Sequence, residues 1–324
     1  MSYRIGIDLG GTKIEAALLT PSGAFVTRER VATPRGDYAA SLAAIRHLVD
    51  RLERALPTGT ARPTIGVGIP GTMSRRTGLV KNANSTWLIG KPLDRDLAET
   101  LARPVRVAND ADCFALAEAV DGAAIGASPV FGVILGTGVG GGLVVGGKPL
   151  TGPNGIAGEW GHNPLPWRDP VADPEFPCYC GKRGCIETFL SGPGLAAHHR
   201  HDTGQELDSP TIVSRAEAGD AAARASLDRY ADRLARGLAH VINVIDPEVV
   251  VLGGGLSDIA MLYDAVPARW GGHVFSDRVD TDLRAPIHGG SAGVRGAAWL
   301  WRADDIAAGL HWVTPDEGPA RERS

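Results

Sequence analysis

The feature that most constrains this chain is a strand, glycine turn and returning strand that occur twice. Tyr3-Arg4-Ile5-Gly6-Ile7-Asp8 reads as a strand and Leu9-Gly10-Gly11-Thr12-Lys13 as a turn, and Ile14 to Leu19 runs straight back. Val130 to Leu135, then Gly136-Thr137-Gly138-Val139-Gly140, then Gly141 to Val145 repeat that layout in order and in type. A duplication of this kind predicts two related α/β domains facing one another. The 43 glycines in 324 residues fit this reading: a helical bundle needs few, whereas tight turns and close backbone approach to a ligand need many.

The turns suggest their own chemistry. Gly10 and Gly11 let backbone N–H groups approach an anion with no side chain in the way. Thr12 adds a hydroxyl and Lys13 a positive charge, and Asp8 at the strand end can hold a hydrated Mg²⁺ near phosphate oxygens. Gly136-Thr137-Gly138-Val139-Gly140-Gly141-Gly142 is a second loop of this type. Each could equally be an ordinary hairpin, and neither is a Walker loop, because Gly-Lys-Ser/Thr is absent. Two such loops from facing domains could grip a nucleotide triphosphate between them.

A second constraint lies between Gly158 and Glu187. Cys178, Cys180 and Cys185 are three of the four cysteines, and His162 stands a short loop upstream. Three thiolates and an imidazole make a closed tetrahedral zinc shell, with Gly181 and Gly184 allowing the chain to fold back sharply. Buried thiols or a Cys180–Cys185 disulfide are the alternatives; disulfides are rare in reducing compartments, and nothing in the sequence suggests export. Cys113, beside Phe114 and Ala115, reads as a core residue. The zinc loop carries Glu159 and Glu187 on either side. With His162 and Asn84 they are candidates for binding hydroxyls, since carboxylates and amides accept hydrogen bonds from polyols. If one nitrogen of His162 is on zinc, the other is free for a hydroxyl. The plain alternative for both glutamates is a solvated loop charge.

Asn109-Asp110 follows the strand Val105 to Ala108 and opens an alanine-rich helix. Helix capping explains the pair. So does catalysis: a carboxylate there could accept the proton of an attacking alcohol while Asn109 orients it, and phosphoryl transfer asks little more of a protein than positioning and charge neutralisation.

Further helices are predicted at Ala39 to Leu56, with apolar residues at 42, 45, 48, 49, 52 and 56, and at 94–101, 186–200, 211–218, 220–245 and 291–302. Met73 to Trp87 reads as a polar loop and Glu248 to Leu252 as a buried strand. A formal net charge of −4 with mixed signs argues against a nucleic-acid surface. The uncharged stretch Pro129 to Gly147 is too rich in glycine for a membrane helix. The expectation is a soluble cytoplasmic protein without a signal peptide.

Five motifs in order now carry a family resemblance: Asp-x-Gly-Gly-Thr-Lys at 8–13, Gly-x-Gly-x-Pro-Gly at 66–71, Asn-Asp at 109–110, Glu-x-Gly-His at 159–162, and Cys-x-Cys-Gly-x-x-Gly-Cys-x-Glu at 178–187. Together they resemble the ROK family of sugar kinases and repressors, from Ile5 to Trp301. Residues 81–87, 158–167 and 185–192 are similar to its bacterial fructokinase (manno(fructo)kinase) branch. The resemblance implies an α/β, actin-like (ribonuclease H-like) two-domain sugar kinase fold with a central cleft. The expected N-terminal domain is 1–110, rejoined by a helix near 291–303; the larger C-terminal domain is 111–290, and 314–324 is a flexible tail. It implies ATP as donor, Mg²⁺, a structural Zn²⁺ on His162, Cys178, Cys180 and Cys185, and a homodimer. It implies Asp110 as the base, with Gly71, Asn84, Asn109, Glu159, His162 and Glu187 at the sugar. ATP and Mg²⁺ would meet Asp8, Gly10, Gly11, Thr12, Lys13, Gly136, Thr137, Gly138 and Gly140, with Gly253 and Gly254 under the adenosine. The first strand begins at Tyr3, which leaves no room for a repressor's helix-turn-helix before it. One departure is a longer insert between His162 and Cys178. The activity expected is phosphorylation of D-fructose at O6. The alternatives are a glucose, mannose or N-acetylhexosamine kinase, a non-catalytic sugar sensor, and a sugar-independent ATPase.

Overall fold

The computed structural model describes residues 2–302 and 305. Two units divide the chain. The first runs to Asp110 and resumes at Ala297; the second is Ala111–Gly296.

The first unit opens with β1 (Arg4–Leu9), β2 (Lys13–Leu19) and β3 (Phe25–Ala32), followed by α1 (Tyr38–Glu53) and β4 (Thr64–Ile69). A small hairpin, β5 (Thr72–Met73) with β6 (Val80–Lys81), then α2 (Leu93–Leu101) and β7 (Val105–Asn109) complete it. The sheet has the order β3-β2-β1-β4-β7. β1 runs antiparallel to β2 and parallel to β4, and β4 runs parallel to β7. β1 is central, and on one of its faces Ile5 and Ile7 have no exposed surface, while Arg4, Gly6 and Asp8 alternate onto the other. α1 starts where the Asp37 carboxylate accepts from Ala40 N–H at 2.9 Å. It buries Ile45, Leu48, Val49 and Leu52, the stripe that its 3.6-residue periodicity predicts. Gly66 in β4 has no room for a side chain: a Cβ would lie 1.8 Å from the Ala297 carbonyl oxygen.

α3 (Asp110–Asp121) starts on the last residue of the first unit before its break and leads, in the second unit, to β8 (Val130–Leu135), β9 (Val139–Val145) and β10 (Lys148–Pro149). A long loop leads to α4 (Glu187–Leu190), α5 (Gly192–Thr203), α6 (Ser209–Glu217) and α7 (Ala221–Ile245). Then come β11 (Val249–Gly253), α8 (Leu262–Ala265), α9 (Pro267–Trp270), β12 (Asp282–Arg284) and α10 (Ala292–Trp299). The sheet order is β10-β9-β8-β11-β12, with β8 antiparallel to β9 and parallel to β11. Its core gathers β8, β9, β11 and the buried face of α7, where Tyr230 is fully buried and donates its hydroxyl to the Leu190 carbonyl at 2.8 Å.

Several expectations change. β9 begins at Val139, not Gly141, because Val139 already pairs with Leu135. Gly140, Gly141 and Gly142 are therefore strand residues. A Cβ on Gly142 would sit 2.4 Å from the Ala111 carbonyl oxygen, so α3 can lie against the strand only where side chains are missing. The helix expected over 186–200 is broken at Ser191, whose hydroxyl accepts from Gly194 N–H and caps α5, with Pro193 in its first turn. The stretch read as a plain loop, 73–87, contains part of the β5–β6 hairpin. The final helix ends at Trp299, and the tail at 314–324 lies outside the described residues.

Candidate functional site

The turn after β1 presents its carbonyls to the protein. Gly10 N–H and the Lys13 carbonyl close it at 3.0 Å. Thr33 donates its hydroxyl to the Gly10 carbonyl and its N–H to the Thr12 carbonyl, and Arg35 Nε donates to the Gly11 carbonyl at 2.8 Å. Among the described residues the amides of Gly11 and Thr12 have no acceptor, which is the arrangement of an anion nest. Ser85 is 2% exposed, its hydroxyl has no partner, and a Cβ on Gly11 would lie 3.4 Å from its Oγ. Sequence reasoning missed both Arg35 and Ser85. Ser85 lies in the stretch 81–87 that carries the resemblance, but only the fold brings it and Arg35 to the turn.

Lys13 makes an ion pair within its own strand. Its Nζ lies 3.6 Å from Glu15 Oε2. Glu15 is 2% exposed and is also clasped by Arg28 and Arg30. Burial works to raise its pKa, but the two guanidinium groups outweigh burial and hold the carboxyl below its ordinary value. Asp8 shows the opposite balance. Burial pushes its carboxyl up to about 6, Glu15 adds to the rise and Lys13 opposes it. A half-buried carboxylate with no hydrogen-bond partner among the described residues fits a hard cation, so Asp8 suits Mg²⁺.

Asn109 ends β7 and Asp110 opens α3, half-buried. Asn109 Nδ2 donates to the Gly71 carbonyl at 3.0 Å. Gly71 has φ +112, and a Cβ there would lie 2.7 Å from the Lys81 carbonyl, so glycine is required. The amide thus ties the end of β7 to the Gly71 turn. Asn84 is exposed.

In the second unit, Gly136 N–H donates to the Gly138 carbonyl at 3.0 Å, and the Gly136 carbonyl accepts from Gly192 N–H at 2.8 Å. Thr137, at the tip of this turn, is exposed. Glu187 Oε2 accepts from Val139 N–H at 3.0 Å, which joins the cysteine loop to this turn. Gly140 packs towards the Ala111 Cβ. Gly253 leaves space for the Phe114 ring, and Gly254, at φ +80, lies on the Leu135 backbone. Packing alone therefore explains Gly253 and Gly254, whereas a Cβ on Gly140 would make only ordinary contact, 3.4 Å from the Ala111 Cβ.

The cysteine cluster assembles as its spacing suggests. One donor atom from each of His162, Cys178, Cys180 and Cys185 lies within 4.8 Å of all the others. Cys180 Sγ is 3.6 Å from Cys185 Sγ, and Cys178 Sγ is 3.6 Å from His162 Nδ1. Zinc with Zn–S of about 2.3 Å and Zn–N of about 2.0 Å would set tetrahedral edges of roughly 3.8 and 3.6 Å, so the donors fit. Gly181 and Gly184 have positive φ, 87° and 68°, as a sharp reversal requires. Trp160 Nε1 donates to the Gly140 carbonyl at 3.0 Å and fixes the approach to His162. Glu159 is exposed, and its carboxylate has no hydrogen-bond partner among the described residues. His162 Nε2 is not free: it lies 2.9 Å from the Tyr179 hydroxyl.

The long insert has its own clamp. Asp173 is bound by Arg233 at 2.7 Å and Arg236 at 3.0 Å, and all three side chains are buried. Arg233 also donates to the Ala172 carbonyl and Arg236 to the Trp167 carbonyl, so α7 holds the insert by side chain and backbone together. Sequence spacing could not reveal this, because the partners lie about sixty residues apart.

Two like sheets, each with a glycine turn between two antiparallel strands, define a duplicated α/β protein. A profile described as the ROK family matches residues 4–304, and the chain belongs to the ROK family. It is 40% identical over 303 residues to an N-acetyl-D-glucosamine kinase of Escherichia coli O127:H6, covering 92% of this chain and 99% of that one. A solved ROK hexokinase from Thermus thermophilus is 32% identical with a TM-score of 0.80, covering 92% and 97% of the two chains. A ROK glucokinase from Streptomyces griseus, solved with glucose and AMPPNP, is 29% identical with a TM-score of 0.73, covering 92% and 99%. The fold is the actin-like, ribonuclease H-like α/β fold of those kinases. None of these three relatives is named for fructose. Among the described residues no helix is long and apolar enough to cross a membrane.

Proposed function

We propose that this protein is an ATP-dependent hexose kinase whose preferred acceptor is N-acetyl-D-glucosamine. The observation that carries the acceptor is the 40% identity over nearly the whole length of an N-acetyl-D-glucosamine kinase. This replaces the expectation of fructose with one of its alternatives. The motif likeness to the fructokinase branch keeps fructose as the second reading.

In this reading Asp110 takes the proton of the attacking hydroxyl. Asn109 positions it through the Gly71 turn, and Asn84, Glu159, His162 and Glu187 bind sugar hydroxyls. The amides of Gly11 and Thr12, with Arg35 and Ser85, receive phosphate oxygens, as do those of Thr137 and Gly138. Asp8 would hold Mg²⁺, which screens phosphate charge. His162, Cys178, Cys180 and Cys185 would hold a structural Zn²⁺. A homodimer and a cytoplasmic location rest on the family likeness.

The test is ATP consumption with a panel of N-acetylglucosamine, N-acetylmannosamine, glucose, mannose and fructose. N-acetylglucosamine should give the highest kcat/KM. A clear preference for fructose would reverse the choice of acceptor, and sugar-independent ATP hydrolysis would reject the kinase reading.

A further inference from the structure

One segment takes three successive carbonyls of the first turn. Thr33 donates its hydroxyl to the Gly10 carbonyl at 2.7 Å and its N–H to the Thr12 carbonyl at 3.0 Å, and Arg35 Nε donates to the Gly11 carbonyl at 2.8 Å. One corner of the guanidinium is thereby fixed. Nη1 and Nη2 of Arg35 have no acceptor among the described residues, and the side chain is exposed. The nearest carboxylate in sequence, Asp37, instead caps α1 through Ala40 N–H. A planar fork held at one corner beside open backbone amides is preorganised for phosphate oxygens. Ser85 Oγ, buried without a partner, stands at the same turn as a further donor. Lys13, the cation within the turn's own motif, is directed elsewhere. Its ammonium lies beside Glu15, two residues further along β2 and away from the turn.

Strand register relates this fork to the acceptor. β1, β4 and β7 are parallel, and Asp8, Gly68 and Ala108 stand in one row across them. Two strand steps of about 4.8 Å put Asp8 and Ala108 roughly 10 Å apart. The Gly10–Gly11 turn and Asn109–Asp110 follow that row within three residues, at the same end of the sheet. A hydroxyl hydrogen-bonded to Asp110, an attack distance of about 3–3.5 Å and a phosphoryl oxygen on a turn amide together span about that gap. The phosphate suited to the first turn is therefore the one next to the attacking hydroxyl.

We propose that Arg35, and not Lys13, is the cation on the phosphoryl group being transferred. The inference rests on the hexose-kinase reading and deepens it. In the transfer, the bond from phosphorus to the ADP oxygen breaks and the bond to the hexose oxygen forms. The hydroxyl proton passes to Asp110, and ADP leaves. The phosphoryl oxygens stay on the Arg35 fork throughout, so the sugar phosphate is left there at the end. Arg35 thus acts on the transition state and the product, and little on free hexose or ADP.

The test compares wild type, Arg35→Met, Arg35→Lys and Lys13→Met. Steady-state kinetics uses ATP and the hexose with the highest kcat/KM, and calorimetry measures hexose, hexose phosphate and ADP separately. Arg35→Met should lower kcat about 10²- to 10³-fold, the loss expected for one preorganised donor to a charged transition state. Its affinities for hexose and ADP should stay within about threefold of wild type, whereas hexose phosphate should bind about tenfold more weakly. Arg35→Lys keeps the charge without the fork and should recover part of kcat. Lys13→Met should lose about tenfold less than Arg35→Met. A kcat for Arg35→Met within about threefold of wild type would overturn the proposal. So would an equal loss in Lys13→Met. So would a loss shared evenly by hexose, ADP and hexose phosphate binding, because Arg35 would then only support the turn. A wild type that phosphorylates no hexose would remove the kinase reading, and this inference with it.

Discussion

The two glycine turns hang from sheets with matching strand order and matching parallel and antiparallel neighbours. Their chemistry has diverged. In the first, Asp8 pairs in register with Glu15, and three cations surround that glutamate. In the second, the residues one step below the turn are Ile134 and Gly140, and a glutamate from the cysteine loop, Glu187, takes the Val139 amide instead. The edge strands differ as well: β7 runs into Asn109-Asp110 and a long helix, while β12 ends at Arg284 and is followed by Ala285-Pro286. Duplication supplied one scaffold twice. Charge is distributed unequally around the two turns, with Asp8, Lys13 and Glu15 at the first and Glu187 at the second. Topology alone does not tell which half does which work.

The largest effect should come from the group that has no counterpart in the second sheet. Asp110→Asn should lower kcat about 10²- to 10⁴-fold while calorimetric sugar affinity stays near wild type. Turnover within tenfold of wild type would remove Asp110 from its role.

Each half also has a carboxylate gripped by cations, and in the second half that carboxylate is Asp173. Asp173→Ala leaves Arg233 and Arg236 buried without it and should cost about 3–5 kcal/mol, read by urea unfolding. A loss under 1 kcal/mol would show that the insert is held by its backbone contacts alone.

Asp8 sharpens the contrast through pH. Its folded pKa is raised, to about 6, above its ordinary carboxylate value. Its favourable contribution is therefore complete below the unfolded value and disappears as pH rises through about 6. Asp8→Asn should stabilise the metal-free protein at pH 8, on the order of 1–3 kcal/mol, and the gain should vanish near pH 4. It should also abolish most ATP turnover. An equal melting shift at both pH values would mean that burial is not the cause.

The smallest effect separates glycines inside one turn and strand. Gly142→Ala would press on the Ala111 carbonyl and should cost about 1–3 kcal/mol. Gly136→Ala meets nothing within 4 Å and should stay within about 0.5 kcal/mol. Equal losses at the two positions would refute the packing account of β9.

By itself the sequence determined the elements and their duplication, because periodicity and glycine punctuation act over a few residues. β8 falls on the residues its pattern predicts, and three cysteines spaced within one tight loop bring their sulfurs together by chain geometry alone. Helix breaks were less legible. The break at Ser191 depends on a cap that competes with a helical pattern running straight through it. What only the tertiary structure decided were the long-range partnerships: Lys13 turned to Glu15, Arg35 and Ser85 at the first turn, Asp173 between two arginines of α7, and Tyr179 on His162. A sequence gives each residue its charge and reach, but hydrogen bonds and burial depend on distances of a few ångströms, which folding alone sets.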